Sequence, residues 1–232
     1  AVSPDVLVVV AYGELLRKHV LRLAPLGCLN VHPSLLPAYR GASPIPAAIL
    51  NGDTMTGVSI MRLVRKLDAG PILAQLTLDV TPEDTAETLA DRLAALAARM
   101  LPEVALAWER GEIQEREQDE ASVTHTREWT TDDARIVWTQ TASDIERLVR
   151  AANPWPVAWT TLDGERFRIL AALSLADADE GSPGEARQID RSVVVQTGAG
   201  ALRLDTVQPA GKRAMAALDW WRGLRRERAT FV

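Results

Sequence analysis

The sequence is poor in the residues that several kinds of site require. Its 232 residues include one cysteine, Cys28, and three histidines. A lone thiol excludes an intramolecular disulfide and any cysteine-based metal cluster. The longest apolar run, Val6 to Ala11, falls far short of the ~20 residues that a membrane-spanning helix needs. No basic segment precedes that run as it would in a secretory leader. Neither a GxGxxG nor a P-loop spacing occurs, so a nucleotide cofactor finds no support. Carboxylates and histidines do not cluster at ligand spacing, and the expectation is no metal. Internal repeats and low-complexity tracts are missing too. Positive charge is in deficit: 26 Lys and Arg stand against 31 Asp and Glu, a net −5. That balance argues against broad, sequence-blind binding to nucleic acid. These absences lead to an expectation of a cytoplasmic protein with no membrane partner, a monomer in the simplest case.

What remains is ordinary for a globular protein, with 47% hydrophobic and 25% charged residues and a length that suits one large domain or two small ones. The charge is unevenly spread. Between Gly211 and Val232, Lys212, Arg213, Arg222, Arg225, Arg226 and Arg228 face only Asp219 and Glu227. Such a tail is either a solvated helix face or a phosphate-contacting surface. The chain opens on Ala1 and leads at once into Val6–Ala11, a run of the kind buried on both faces of a parallel sheet. A strand of that kind needs neighbours on both sides, so further sequence is expected upstream.

The pattern up to about Ile113 reads as α/β. Strands are expected at Val6–Ala11, Gly27–Val31, Val58–Leu63 and Ile72–Val80, and helical spacing at Leu15–Leu23 and Ala47–Leu50. Asp84 and Glu87 form a capping-box arrangement, and Leu89, Leu93, Leu96, Ala97, Met100 and Val104 follow at helical spacing to near Gly111. Residues 114–130 are polar and read as a linker. From about Thr131 the pattern changes to a helix at Ala142–Ala152, then short strands near Ala158–Leu162, Arg166–Leu173, Ser192–Thr197 and Ala201–Val207. Short strands at this spacing suggest a small β-barrel over residues 131–232. Trp155 and Trp159 read as core aromatics, and Trp220-Trp221 as one buried and one exposed ring.

The segment richest in chemistry is Leu29-Asn30-Val31-His32-Pro33-Ser34-Leu35-Leu36-Pro37. Asn30 and His32 fall on one face at the end of a strand, just before a loop, where α/β sheets bind ligands. An Asn amide can donate to a developing oxyanion, and a His can give or take a proton. His19 sits in a basic amphipathic stretch and His125 in the polar stretch, which leaves His32 the best placed of the three. Asp68, in Lys66-Leu67-Asp68-Ala69-Gly70-Pro71, is either a turn residue or a carboxylate that orients the imidazole. Spacing alone does not decide whether Asp68 reaches His32.

The run from Asn30 to Pro37, followed by Leu67-Asp68-Ala69-Gly70, resembles the active-site signature of the 10-formyltetrahydrofolate-dependent formyltransferases. The resemblance implies Asn30, His32 and Asp68 as the catalytic set and Ser34, Leu35, Leu36 and Pro37 as folate-binding residues. Val10-Ala11-Tyr12-Gly13 resembles the stretch bordering the pterin pocket, which adds Tyr12 and Gly13. Pro33 departs from the pattern, where Gly is common, and stiffens the loop after His32. Arg40–Ile45, Gly57–Met61, Ala134–Trp138, Ala151–Trp159 and Gln208–Met215 are similar to the branch of the family that acts on methionyl-tRNA.

That resemblance implies a partial, N-terminally incomplete Rossmann-like catalytic domain with a parallel-rich sheet over residues 1–113. A small OB-like barrel follows, with Lys212 and Arg213 against the tRNA backbone. The implied reaction moves a formyl group from 10-formyltetrahydrofolate to the α-amino group of methionyl initiator tRNA. In it, Asn30 and a protonated His32 steady the oxyanion while Asp68 keeps His32 charged. A sugar-nucleotide formyltransferase with the same folate donor, an idle tRNA- or folate-binding module, and a hydrolase releasing formate are the competing expectations.

Overall fold

A computed structural model describes residues 3–14, 16–176 and 181–232. The chain forms two compact units. One comprises Ala1–Ala48, Asp53–Pro82 and Thr88–Glu128; the other comprises Ile49–Gly52, Glu83–Glu87 and Trp129–Val232.

In the first unit, β1 (Leu7–Val10), β2 (Cys28–His32), β4 (Met55–Arg62) and β5 (Ile72–Asp79) form one sheet in the order β1-β2-β4-β5. The two-residue β3 (Arg40–Gly41) and the helix α1 (Pro44–Leu50) lie in sequence between β2 and β4. The sequence suggests a parallel-rich sheet; in this sheet β1 and β2 pair in parallel, while β2–β4 and β4–β5 are antiparallel. Antiparallel neighbours can be joined by a short connection, as the nine residues 63–71 join β4 and β5, whereas a parallel pair needs a longer crossover.

The 24-residue helix α2 (Ala86–Glu109) buries Leu89, Leu93, Leu96, Met100 and Val104, the stripe its sequence spacing predicts. The helix expected at Leu15–Leu23 is not formed. Leu15, like Ala1, lies outside the described residues, and the rest carries a single 3-10 turn, Val20–Arg22, closed by Leu23 N donating to Val20 O at 3.0 Å. Pro25 disfavours helical backbone at the residue before it and so limits the turn's extension.

Residues 114–130 read from their polarity as a linker, yet the stretch up to Glu128 is built into this unit. Ile72 and Arg116 exchange backbone hydrogen bonds of 2.8 and 3.0 Å, and β6 (His125–Thr126) pairs with β3 in parallel. Glu115 takes a two-pronged contact from Arg62, and Glu120 accepts from Arg40 Nη2 at 2.9 Å and Lys66 Nζ at 2.7 Å. The polar residues of this stretch therefore find partners in the unit's own cations and backbone rather than in solvent alone.

In the second unit, α3 (Ala142–Ala151) precedes β7 (Trp159–Leu162), β8 (Glu165–Leu175), β9 (Glu185–Ile189), β10 (Ser192–Gln196) and β11 (Ala201–Pro209). Then come β12 (Met215–Ala216), α4 (Ala217–Leu224) and β13 (Arg228–Thr230). The sheet runs β13-β9-β10-β11-β8-β7, with antiparallel pairing at every step. Its two ends approach each other: Phe231 bridges Leu162, and Thr161 and Val232 exchange hydrogen bonds of 3.1 and 3.0 Å. A nearly closed barrel of short strands is what the turn spacing predicts.

Ile145, Leu148, Phe167, Ile169, Val193, Val195, Leu202 and Phe231 fill the core of this unit. Trp159 is buried there, but Trp155 is 60% exposed. Both Trp220 and Trp221 are buried, contrary to the expectation of one exposed ring. Residues adjacent in a helix sit about 100° apart, so an apolar stripe of that width covers both. Trp220 packs on Phe167 with centroids 4.6 Å apart, and on Trp221 edge-on at 5.6 Å.

Candidate functional site

The C-terminal end of β2 delivers Asn30 and His32 to a cavity of about 710 Å³ in the first unit. That volume falls in the range of roughly 300–1,000 Å³ usual for small-molecule sites. The walls are largely apolar. Val10, Tyr12 and Gly13 follow from β1, Leu63, Val64 and Leu67 from the segment after β4, and Ala90, Leu93, Ala94 and Ala97 from α2. The polar groups in the lining include Asn30, His32 and Asp68, so the structure gathers the three residues that the sequence could not place together.

Of the three histidines only His32 is buried, at 4% exposure. Its Nε2 lies 2.9 Å from Tyr39 O, and its Nδ1 lies 3.7 Å from Asp68 Oδ2. A carbonyl oxygen only accepts, so Nε2 carries the proton and donates to Tyr39. Nδ1 is then left facing the carboxylate at a distance of ion pairing rather than hydrogen bonding. Burial pushes the imidazole below its ordinary pKa; Asp68 and the Tyr39 hydrogen bond pull the other way and are outweighed. Burial thus favours the neutral imidazole in the resting protein, where the family resemblance implies a protonated one. Desolvation is the reason: the ring is enclosed, and Asp68 stops short of a hydrogen bond.

Asp68, 8% exposed, occupies a left-handed position in its turn, with φ 48°. Short polar side chains tolerate that region better than most residues. Its Oδ2 accepts from Gly41 N at 2.9 Å. Gly70 is fixed by close approach, because a Cβ there would lie 1.7 Å from Arg62 O. Asn30 is half-buried, and among the described residues its amide makes no hydrogen bond, which leaves its N–H groups available to the cavity.

Tyr12 and Gly13 line the cavity, but Ser34, Leu35, Leu36 and Pro37 do not. Ser34 Oγ donates to Ala38 O at 2.6 Å, and Ser59 Oγ donates to Ser34 O at 2.6 Å. Leu36 N donates to Ser59 Oγ at 3.0 Å, and Gln75 Nε2 donates to Leu36 O at 2.9 Å. These bonds tie the loop to β4 and β5, so its residues shape the return of the chain from His32 to Tyr39. Lys212 and Arg213 belong to the second unit, exposed in the turn where Lys212 N donates to Pro209 O at 3.1 Å. Among the described residues no group of three or more His, Cys, Asp or Glu is placed to hold a metal ion, and no helix is long and apolar enough to cross a membrane.

The sequence alone does not single out Tyr39, Gly41 or Gln118. The first two touch His32 and Asp68 through backbone atoms, which side-chain identity does not reveal. Gln118 lies within the stretch whose polarity reads as a linker.

Comparison with known proteins bears on this arrangement. The family model of the formyl transferases matches residues 1–105, and that of the formyl transferase C-terminal domain matches residues 129–225. A methionyl-tRNA formyltransferase of Roseiflexus sp. (strain RS-1) is 49% identical over 226 residues, covering 97% of this chain and 70% of that protein. HypX from Aquifex aeolicus, solved in complex with tetrahydrofolic acid, has a TM-score of 0.72 at 19% identity, over 94% of this chain and 38% of its own. The methionyl-tRNA formyltransferase from Clostridium thermocellum has a TM-score of 0.62 at 19% identity, over 77% of this chain and 74% of its own. At such identities the two structures show a shared fold, while the Roseiflexus relative carries the similarity through both units. The chain belongs to the methionyl-tRNA formyltransferase family of the formyl transferases.

Proposed function

We propose that the chain transfers a formyl group from 10-formyltetrahydrofolate to the α-amino group of methionine carried on initiator tRNA. The observation that carries this reading is the approach of His32 Nδ1 to Asp68 at 3.7 Å in the wall of a cavity that also presents the amide of Asn30. The cavity suits the folate donor: its volume matches a ligand of that size, and its apolar walls, with Tyr12 at the rim, suit a flat heteroaromatic ring.

The amine attacks the formyl carbon, and negative charge gathers on the formyl oxygen. Asn30 donates to that oxygen; a preorganised donor of this kind contributes about 3–4 kcal/mol where it has been removed in other enzymes. His32, neutral with its proton on Nε2, accepts the amine proton at Nδ1, and Asp68 steadies the imidazolium that results. The bond from the formyl carbon to N10 then breaks, and the proton passes from Nδ1 to the departing nitrogen. The proton balance closes without a covalent enzyme intermediate. Lys212 and Arg213, exposed and without an acidic partner at ion-pair distance among the described residues, contact the tRNA backbone. Such contacts position the substrate without reading its sequence.

The test supplies formyl-labelled folate with one of three acceptors: methionylated initiator tRNA, an amino sugar nucleotide, or water alone. It is run on this chain and on the chain extended at its N-terminus. Label on methionine, abolished by His32→Ala in the same background, is the expected result. Label on the sugar amine, or release as formate, in place of label on methionine would overturn the assignment in favour of the corresponding competing reaction.

A further inference from the structure

The His32–Asp68 pair is braced by hydrogen bonds to one backbone segment, and that segment is tied back to the Asp68 turn through a side chain outside the cavity lining. Tyr39, Arg40 and Gly41 are consecutive. The first accepts from His32 through its carbonyl at 2.9 Å, and the third donates to Asp68 Oδ2 through its N–H at 2.9 Å. Between them Arg40 is fully buried, and its Nε donates to Gln118 Oε1 at 3.0 Å. Gln118, itself buried, gives its amide hydrogens to the two carbonyls of the Asp68 turn: Asp68 O at 2.8 Å and Gly70 O at 2.7 Å. The orientation of this amide follows from its partners, since two carbonyls only accept and a guanidinium only donates. One glutamine therefore grips the backbone of the catalytic turn on both sides of Ala69. Through Arg40, it fixes that turn to the segment holding the other end of the dyad. Arg40 Nη2 continues to Glu120, and Nη1 is buried with no hydrogen-bond partner among the described residues.

We propose that Gln118, braced by Arg40, is a positioning residue that sets the distance between Asp68 and His32. Asp68 holds a left-handed conformation that its turn does not favour unaided, and the approach of its carboxylate to Nδ1 depends on that backbone staying in place. Gln118 touches neither the cavity nor the reacting atoms. It acts through the turn, and the inference rests on the proposed formyl transfer only for its rate readout.

Its test needs no substrate. The chain has three histidines, so the imidazole proton resonances can be titrated by NMR, with His32 assigned by its absence in His32→Gln. Gln118→Met keeps the length and removes both donations. Release of the turn weakens the attraction of Asp68 for the imidazolium, and His32 titrates at lower pH, by roughly 0.5 or more in pKa. In an Asp68→Asn background the same substitution leaves the His32 titration unmoved, because the pair whose geometry it controls is gone. The rate of formyl transfer falls roughly 10- to 100-fold with KM for the folate donor unchanged, the consequence of a displacement on the order of 1 Å. If Gln118→Met does not fold, Gln118→Asn, which shortens the reach by one methylene, is read in the same way. An unaltered His32 titration in a folded variant would overturn the proposal and leave Gln118 a purely structural residue. An equal shift with and without Asp68 would overturn it as well. If formyl transfer is missing from the parent protein but the titration shift is present, the positioning role stands and the functional assignment fails.

Discussion

Replacing Asp68 by asparagine lowers kcat for formyl transfer by roughly 10²- to 10⁴-fold, the span of a lost acid–base contribution. The side chain keeps its shape, and its oxygen can still accept from Gly41 N, so the turn is largely retained. What disappears is the charge 3.7 Å from His32 Nδ1. Burial already pushes the His32 pKa down, and Asp68 is the charged group pulling it back up. Without that carboxylate the imidazole is a weaker base, and the imidazolium formed when it takes the amine proton has no counter-charge in an enclosed site. The loss falls on kcat rather than on KM for the folate donor, because the interaction strengthens only as the proton moves. Steady-state rates at saturating donor and tRNA check this directly. A loss confined to KM would assign Asp68 to folate binding instead.

Replacing Gly70 by alanine destabilises the first unit by about 3 kcal/mol or more, the upper range for an added carbon with nowhere to go. A Cβ at that position would stand 1.7 Å from Arg62 O and 2.9 Å from Arg62 C. No side-chain rotation relieves a clash with backbone, so the end of β4 or the turn must move. Arg62 N donates to Pro71 O at 3.0 Å, and Gly70 O accepts from Gln118, so either movement breaks a hydrogen bond as well. Asp68 lies two residues away, and its displacement removes activity even under conditions in which the variant remains folded. Urea denaturation, with transfer rates measured well below the midpoint, separates the two effects. Near-parental stability would show that the turn has more freedom than its contacts indicate.

The part of this site that lies in one strand was legible in the sequence, and the part made across the fold was not. Asn30 and His32 share a face because alternate strand residues do, and the position of β2 followed from its apolar pattern. The stripe of α2 was equally plain, since Leu89, Leu93, Leu96, Met100 and Val104 repeat at helical spacing. Asp68 was visible as a candidate through family resemblance, but its approach to His32 depends on how the turn after β4 folds back, which spacing does not encode. Charged and polar residues interrupt the apolar alternation of the strands at Glu185–Ile189 and Arg228–Thr230, so their sequence does not mark them as strands. Polarity is also a poor guide within residues 114–130, most of which belong to the first unit. Glu115 pairs there with Arg62, and Glu120 with Arg40 and Lys66, partners that lie some 50 to 80 positions away in sequence. The direction in which the His32 pKa moves is illegible in the sequence for a related reason. A carboxylate in the motif suggests a charged imidazole, but the sign of the shift is decided by enclosure, which only the folded chain reveals.

The measurement that bears most directly on the account is the pH dependence of labelled formyl transfer to methionyl initiator tRNA, followed from about pH 5 to about pH 8 beside His32→Gln. If neutral His32 accepts the amine proton, the parent rate is level at the upper end. It declines as pH falls through a pKa below 6.5, the ordinary value for histidine, and this limb is missing from the residual rate of His32→Gln. A rate that instead falls as pH rises through that range, and does so only while His32 is present, would mean that the protonated ring is the working form and would contradict the account.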